Sequence, residues 1–397
     1  MRAVTRLLSQ ITHEYVDLNE VARDDGYLFV REGVGVAGRG TAIRLGHDDV
    51  LETLQNIEHE NLTKINRAGP VAIGCIPFDS TEPHDFVIPK VVVGKNANGE
   101  QWITVIDDAP VELTTTTGPK PAAGSFSVHP GISVEHYLEA VRLTRDAVRR
   151  GEITKAVIAR DIYVETDMPF DVHAILLRLR ASFGSSYRYL VDGLIGASPE
   201  LLVTVLGNDV SSHPLAGTAP RTGNPELDQQ LATELIASTK NQLEHRIVID
   251  MVHDTLLPWC SYLDWQPEPS IVAVANVQHL GTQISGRLSD PHPSALELAY
   301  LLSPTPALGG HPRKEALKQI AEVEGIQRGR YGGAVGYVNS YGDGTFAVTI
   351  RCAELNQSRT SARLFAGGGI VGDSDPETEL AETQAKFQAM LAALIRP

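Results

Sequence analysis

The sequence is poor in cysteine and has no long apolar run. Only three of the 397 residues are cysteine, and Cys75, Cys260 and Cys352 lie far apart, without a CxxC motif or the spacing of a zinc site. Three cysteines cannot all pair, so reduced thiols in a cytoplasmic protein are expected. No segment reaches the length of about 18 apolar residues that crosses a membrane. The opening "MRAVTRLLSQITHEY" also lacks the apolar stretch of a secretory signal.

Positive charge is also scarce. The chain carries 34 Lys and Arg residues against 49 Asp and Glu residues, which gives a formal net charge of −15 at pH 7. A protein that binds nucleic acid non-specifically needs a basic surface, and so does one that docks on an anionic membrane. The charge balance therefore argues against both kinds of partner. The length of the chain and its hydrophobic fraction of 42% still allow a substantial core.

Short strands and amphipathic helices alternate along the chain. Apolar spacing and end signals predict helices over 48–60, 133–151, 226–257 and 376–395. Strand patterns cover 68–79, 90–95, 155–165, 187–193, 195–207 and 362–372, with a hairpin over 330–355. Residues 116–131 are rich in proline, glycine and small residues, which predicts a linker. Because strands pair through hairpins as well as across helices, an α+β fold is predicted rather than a doubly wound parallel sheet.

A glycine motif near the end of the chain invites a nucleotide-binding interpretation. The segment GGGIVG over 367–372 formally satisfies the G-x-G-x-x-G pattern. A dinucleotide-binding loop must open a helix and be followed by a second strand, whereas DSDP intervenes here and only 25 residues follow Gly372. A nicotinamide cofactor is therefore not expected. The glycines still allow backbone amides to approach an anionic ligand closely.

The last predicted helix brings two acids and a lysine together. Glu379, Glu382 and Lys386 are spaced i, i+3 and i+7, so they share one face. Ser374 and Glu377 form the pattern of a capping box at its start. A solvated charged face is the simplest interpretation of such spacing. The glycine run just before this helix, however, indicates a ligand site beside its first turns.

Glu244 is a second source of carboxylate. It lies in NQLEHRIVIDMV among apolar residues, where a carboxylate without a partner is very unfavourable. The partner could be Arg246, His245 or a metal ion. Carboxylates without histidine or cysteine suit Mg²⁺, which keeps several waters and takes its other ligands from acids and substrate oxygens.

Ten segments together resemble the chorismate-utilising enzymes, in the same order: GEITKAVIAR, GASPELL, PLAGTAPR, EHRIVIDMV, VQHLGTQISG, SPTPALGGHP, RYGGAVGYV, TIRCAEL, FAGGGIV and SDPETELAETQAK. The resemblance covers residues 130–395, with a weaker likeness in GCIPFD. It implies a single large α+β domain of two packed, mostly antiparallel β-sheets with helices outside. Residues 1–130 would be an N-terminal variable part of the same fold, and residues 131–397 its chorismate-binding catalytic region.

The residue at position 155 indicates a branch of this family. Amine-forming members usually have glutamine there, whereas Lys155 resembles the water-using isochorismate and salicylate synthases. The resemblance then implies that water attacks C2 of chorismate while the C4 hydroxyl leaves from the opposite face. Lys155 would be the general base and must be neutral to accept a proton, a state that burial in the apolar run would favour. Glu200 would be the general acid, with a pKa raised by an apolar pocket.

The resemblance also implies a Mg²⁺ site. Glu244 and Glu382 match direct ligands of the metal, and Glu379 matches a more distant or water-bridged acid. Asn241 departs from relatives that carry an acid there, so its part in the site is left open. The metal would hold the ring carboxylate of chorismate, and Lys386 would pair with the acids beside it.

Further residues match contacts to the substrate. Arg351 matches the residue that binds the enolpyruvyl carboxylate, which its forked guanidinium suits. Within the strand pattern TFAVTIRCAEL, strict alternation would place Arg351 on the face opposite the apolar set. The other matched contacts are Gly217, Thr218, His279, Tyr331, Gly368 and Gly369.

Ala307 bears on the product. Isochorismate synthases tend to have alanine at this position and salicylate synthases threonine, whose hydroxyl could reposition the intermediate for pyruvate elimination. The expected function is therefore isochorismate synthase, with salicylate synthase as the alternative and an amine-forming synthase or an inactive binding member as more remote ones. The resemblance suggests a monomer that needs no glutamine amidotransferase subunit. Whether the product enters siderophore or menaquinone synthesis is left open.

Overall fold

Strands dominate the chain, because short runs of β-branched residues recur between glycine and proline breaks. The computed structural model describes residues 1–113, 124–274 and 277–396. Within those ranges the strands are β1 (Arg2–Leu7), β2 (Tyr27–Arg31), β3 (Val34–Gly46), β4 (Glu58–Asn61), β5 (Val71–Ile76), β6 (Asp85–Lys95), β7 (Gln101–Ile106), β8 (Phe126–Pro130), β9 (Lys155–Thr166), β10 (Tyr187–Val191), β11 (Leu194–Ser198), β12 (Leu201–Leu206), β13 (Asp209–His213), β14 (Leu215–Pro220), β15 (Cys260–Trp265), β16 (Ser270–Val274), β17 (Val277–Gly281), β18 (Ile284–Leu288), β19 (Gly310–His311), β20 (Ala334–Asn339), β21 (Gly344–Val348), β22 (Cys352–Leu355) and β23 (Ser361–Ile370).

The helices lie between the strands rather than in one block. In the described residues they are α1 (Leu18–Ala22), α2 (Val50–Gln55), α3 (Val134–Arg149), α4 (Val172–Ser182), α5 (Pro225–Ala237), α6 (Thr239–Leu256), α7 (Ala295–Leu302), α8 (Arg313–Val323) and α9 (Pro376–Ile395). No helix in the described part of the chain is both long and apolar enough to span a membrane.

The sheets are almost wholly antiparallel. In the described part of the chain, twenty strands form one connected hydrogen-bonded network, and β14, β17 and β16 form a separate three-stranded sheet. Among the pairings of the described residues, β1 with β4 is the parallel one. Helices pack against the sheets from outside, so the predicted α+β class is confirmed.

The N-terminal strands belong to the same sheet network as the rest of the chain. Strand β2 pairs with β10, and β5 pairs with β20 over six residues. One large apolar core joins residues from both parts, among them Ile73 and Phe346. The chain is therefore a single domain, as expected.

Several local predictions need correction. Residues 116–123 of the predicted linker are outside the described residues, but Phe126–Pro130 form β8, which pairs with β9. The helix predicted over 48–60 ends at Gln55, and Glu58–Asn61 pair with β1 instead. The long helix over 226–257 is broken at Ser238, which is extended and caps the second helix through the amide of Asn241.

The start of the last helix also differs from the prediction. Its N-cap is Asp375, whose carboxylate accepts from the amide and the hydroxyl of Thr378. The predicted capping box of Ser374 and Glu377 is therefore wrong. The Ser374 hydroxyl instead donates to Glu379 Oε1 at 2.8 Å, so it supports a site residue rather than the helix end.

Candidate active site

A cleft of about 690 Å³ opens where β9 and β23 meet helices α6 and α9. Twelve of the fourteen predicted site residues line it: Lys155, Glu200, Gly217, Thr218, Glu244, His279, Ala307, Tyr331, Arg351, Gly369, Glu382 and Lys386. The other two, Gly368 and Glu379, do not line it. They face each other just behind it, because a Cβ on Gly368 would lie 2.6 Å from Glu379 Oε2.

Lys155 and Glu244 form a buried ion pair. Lys155 opens β9, its side chain is 1% exposed, and its Nζ donates to Glu244 Oε1 at 2.6 Å. Gly369 on the paired strand makes room for both, since a Cβ there would lie 2.7 Å from Lys155 Cε and 2.8 Å from Glu244 Oε1. The polar partner of Lys155 Nζ is therefore a carboxylate from a different element, α6.

This ion pair also answers the question of the partner of Glu244. The sequence allows Arg246 or His245 as that partner. Arg246 pairs instead with Asp250 at the surface, at 2.6 Å, and His245 Nε2 bonds the Thr282 hydroxyl at 2.7 Å. Glu244 thus turns toward the cleft rather than toward its neighbours along α6.

Glu200 lies in the short turn between β11 and β12. It is 2% exposed, and its Oε1 accepts from the amide of Leu215 at 3.3 Å. Burial raises the pKa of Glu200 to about 8, against the opposing effects of that hydrogen bond and of the Lys155 charge. At neutral pH the carboxyl therefore carries a proton that it can donate.

His279 is held as a neutral ring. Its Nδ1 lies 3.2 Å from the Gly217 carbonyl and 3.1 Å from the Thr218 hydroxyl, and Arg351 Nη2 lies 3.3 Å from its Nε2. Burial, with the charges of Arg351 and Lys386, lowers the pKa of His279 to about 3. Because the guanidinium can only donate and the carbonyl can only accept, the ring carries its proton on Nδ1.

Arg351 does not lie in a strand, contrary to the alternation prediction. Strand β21 ends at Val348 and β22 begins at Cys352, while Arg351 between them has a φ of 53°. Its side chain is nevertheless buried and lines the cleft, and its Nη1 lies 3.4 Å from the Lys386 carbonyl. A bend in the backbone, not strand alternation, directs the guanidinium.

The acidic face of α9 meets the glycine run of β23. Lys386 Nζ donates to Glu382 Oε1 at 2.5 Å and to the Gly367 carbonyl at 2.7 Å. Glu379 is 6% exposed, and burial together with the Glu382 charge raises its pKa to about 7. The predicted shared face of Glu379, Glu382 and Lys386 thus borders a site and is not a solvated surface.

The three carboxylates suit a hard cation by their chemistry. All are oxygen donors, and the repulsion between Glu379 and Glu382 is what a divalent ion would relieve. Their present partners are Lys155 for Glu244, Lys386 for Glu382 and Ser374 for Glu379. Over the ranges that the structure describes, no three His, Cys, Asp or Glu side chains are already grouped to hold a metal.

Apolar and backbone elements of the cleft had not been predicted: Val157, Pro199, Leu215, Ala216, Leu308, Ile350, Phe365, Ala366 and Gly367. Most of them adjoin a predicted residue in sequence, and this adjacency is the signal that could have identified them. Phe365 stacks on Tyr331 with ring centroids 5.1 Å apart and planes at 9°. Together these residues give the polar cleft an apolar wall.

A buried ion pair forms hydrogen bonds to the backbone of that wall. Glu324 and Arg328 side chains are each 2% exposed, and Arg328 Nε donates to Glu324 Oε1 at 2.7 Å. Arg328 also donates to the carbonyls of Leu308 and Val157, at 2.8 and 2.6 Å. Glu324 in turn accepts from the amide of Ala159 at 2.8 Å. The pair thereby joins β9 to the segment that contains Ala307.

Comparisons with known proteins point in one direction. Residues 55–395 match the sequence family described as "Chorismate binding enzyme". The putative isochorismate synthase MenF of Mycobacterium tuberculosis is 40% identical over 338 residues, 82% of this chain and 86% of that protein. Isochorismate synthase DhbC of Bacillus subtilis is 35% identical over 358 residues, 87% and 86% of the two chains. A solved structure from Bacillus anthracis, a putative 2,3-dihydroxybenzoate-specific isochorismate synthase, superposes with a TM-score of 0.82 at 31% identity and covers 95% of this chain and 98% of its own.

Proposed function

The chain belongs to the chorismate binding enzyme family, and on that premise we propose that it is an isochorismate synthase. One observation carries the proposal: Lys155 and Glu200, a lysine and a protonated glutamate, line the same cleft. An amine-forming enzyme of this family is expected to have glutamine in place of Lys155. The names of the similar proteins support the same reaction.

The reaction needs a base and an acid on opposite faces of the ring. Lys155 would take a proton from the water that attacks C2, and Glu200 would protonate the C4 hydroxyl as it leaves. The raised pKa of Glu200 supports the acid role. Lys155 would have to be neutral for this role, and its Nζ is held by Glu244 Oε1 at 2.6 Å. Each group is expected to contribute about 10²- to 10⁴-fold in rate.

The two carboxylates of chorismate need separate anchors. Arg351, with Tyr331 and the amides of Gly368 and Gly369, would bind the enolpyruvyl carboxylate. Burial of the guanidinium supports this role, because a desolvated charge binds an anion more strongly. His279, together with Gly217 and Thr218, would contact the ring near the C4 hydroxyl.

The proposal includes a Mg²⁺ ion. Glu244 and Glu382 would bind it directly, Glu379 would support it from behind, and Lys386 would balance the remaining charge. When bound, the ion would supply the positive charge that holds the ring carboxylate of chorismate. Asn241 lies beside the cleft, since a Cβ on the lining residue Gly217 would lie 3.1 Å from its Oδ1.

The enzyme is further proposed to be cytoplasmic and to act as a monomer without an amidotransferase subunit. Because water is the nucleophile, no partner is needed to supply ammonia. Among the similar proteins are isochorismate synthases named for menaquinone, dihydroxybenzoate and vibriobactin. The proposal therefore stops at isochorismate and does not choose a pathway.

Incubation of the purified protein with chorismate and Mg²⁺ tests the proposal. Isochorismate should accumulate as the product, which chromatography would detect. No pyruvate should be released. Salicylate together with pyruvate would instead establish salicylate synthase, the second candidate that Ala307 argues against. A protein that leaves chorismate unchanged would overturn both assignments.

A further inference from the structure

We propose that Tyr189, which does not reach the cleft, is a positioning residue that sets the affinity for the substrate's side-chain carboxylate through Arg351. The inference rests on the proposed function and goes beyond it, since it assigns a role to a fully buried residue outside the cleft. Tyr189 lies on β10 and is 0% exposed. Its hydroxyl donates to the Ile350 carbonyl at 2.9 Å, one residue before Arg351.

The backbone at Arg351 is held in an unfavourable conformation. Among the described residues, eight other than glycine have a φ between 45° and 62°, and Arg351 is the buried one of these. A side chain in this left-handed region crowds its own carbonyl, so the conformation persists only where the surroundings fix it. Such strain at a ligand-binding residue points to a functional constraint on its direction.

Both carbonyls that flank the bend are tied down. Tyr189 bonds the Ile350 carbonyl, and the amide of Ala197 on β11 bonds the Arg351 carbonyl at 3.1 Å. The second bond comes from the backbone and is available to any residue type except proline at position 197. The first comes from a side-chain hydroxyl, so the residue type at position 189 decides whether it forms.

Gly196 leaves room for this arrangement. A Cβ at that position would collide with the Tyr189 hydroxyl and would lie 2.8 Å from the Arg351 carbonyl oxygen. The missing side chain thus lets the tyrosine cross β11 and reach the bend. An ordinary residue in a strand would have separated the two.

The Arg351 guanidinium has few restraints other than its own backbone. Arg351 lies 3.4 Å from the Lys386 carbonyl and 3.3 Å from the neutral His279 ring, and both are weak contacts by distance. In the described residues no carboxylate forms an ion pair with it. Its direction therefore depends on the backbone, and its charge is free to bind the substrate anion.

The test is Tyr189→Phe, which removes one hydroxyl and keeps the ring. The Ile350 carbonyl would be left buried without its donor, which relaxes the bend and misdirects Arg351. We expect KM and the dissociation constant for chorismate to rise about 5- to 20-fold, while kcat changes less than about twofold, because the base and acid are untouched. Tyr27→Phe is the matched control, since Tyr27 is also a buried strand tyrosine, bonded to Thr41 at 3.1 Å away from the cleft. It should leave KM unchanged.

A double-mutant cycle with Arg351→Lys separates positioning from general loosening of the core. If Tyr189 acts through Arg351, adding Tyr189→Phe to Arg351→Lys should raise KM less than about twofold further. An unchanged KM in folded Tyr189→Phe, or a full additional increase in the lysine background, would overturn the inference alone. A wild-type protein that neither binds nor converts chorismate would overturn the proposed function and this inference with it.

Discussion

Lys155 Nζ lies 2.6 Å from Glu244 Oε1, and the two side chains are 1% and 13% exposed. This contact joins the proposed base to a proposed metal ligand, although the two residues are 89 positions apart. A cation that binds Glu244 competes with Lys155 for the same carboxylate. Occupancy of the proposed metal site is therefore expected to change how Lys155 Nζ is held.

Replacement of the proposed base is the first prediction. Lys155→Ala should lower kcat by about 10²- to 10⁴-fold at saturating Mg²⁺, because no group remains to accept the proton from water. Chorismate should still bind, as shown by calorimetry. Lys318→Ala, on the exposed face of α8, should behave as wild type. Near-normal turnover in the first variant would exclude Lys155 as the base.

Metal dependence is the second prediction. Treatment with EDTA should abolish turnover, and added Mg²⁺ should restore it. Glu244→Gln should raise the Mg²⁺ concentration for half-maximal activity by about tenfold or more, because it removes a charged oxygen ligand. The exposed Glu322→Gln is the control. A variant at position 244 with the wild-type Mg²⁺ requirement would remove Glu244 from the ligand set.

The third prediction concerns Glu200 and pH. Its pKa of about 8 in the folded protein means that the acid form, and with it turnover, is lost as pH rises through about 8. Glu200→Gln should lose turnover at every pH while binding chorismate. A pH–rate profile of the wild type without a fall near this value would contradict the assignment.

The stability contribution of the same residue should also fall as pH rises. The folded pKa of Glu200 lies above the ordinary value of 4.5, so its favourable contribution is complete below about pH 4.5 and is lost as pH rises through 8. Glutamine does not titrate. Urea unfolding should therefore show Glu200→Gln gaining on the wild type by about 2–4 kcal/mol between pH 4 and pH 9. Glu322→Gln should show no such gain.

The fourth prediction concerns product choice. Ala307→Thr adds a hydroxyl to the cleft wall and should release measurable pyruvate and salicylate in addition to isochorismate. Ala307→Val has the same shape without the hydroxyl and is the matched control. If valine and threonine give the same products, steric change rather than the hydroxyl controls the outcome. If threonine gives isochorismate alone, position 307 does not discriminate.

The fifth prediction concerns the buried pair behind the wall. Arg328→Met leaves Glu324 buried without its partner, which should lower the free energy of unfolding by about 3–5 kcal/mol. Lys318→Met breaks an exposed pair with Glu322 at the same i,i+4 spacing and should change it by less than about 1 kcal/mol. Urea denaturation measures both. Similar effects of the two changes would mean that burial does not distinguish these ion pairs.

Sequence patterns predicted what depends on neighbours along the chain. Helical spacing placed Glu379, Glu382 and Lys386 on one face, and the ion pair of the last two has the expected i,i+4 geometry. Strands such as β9 and β23 followed from their β-branched and apolar runs. The resemblance to the family then predicted a shared site for residues that no local pattern connects.

What escaped prediction depends on tertiary contacts. The partner of Glu244 is decided by a tertiary contact between α6 and Lys155, and no spacing rule relates positions 155 and 244. Strand alternation failed at Arg351 because nothing in TFAVTIRCAEL shows that pairing ends at Val348. The cap at Asp375 in place of Ser374 reflects a second demand on that serine, its bond to Glu379.

The cleft is completed by α9, the last helix described. Lys155 and Glu244 lie much earlier in the chain, whereas Glu382 and Lys386, which line the same cleft, lie in α9. A chain under synthesis therefore has the proposed base and acid long before it has the second acidic wall. The proposed site is complete only when α9 packs onto the glycine run of β23.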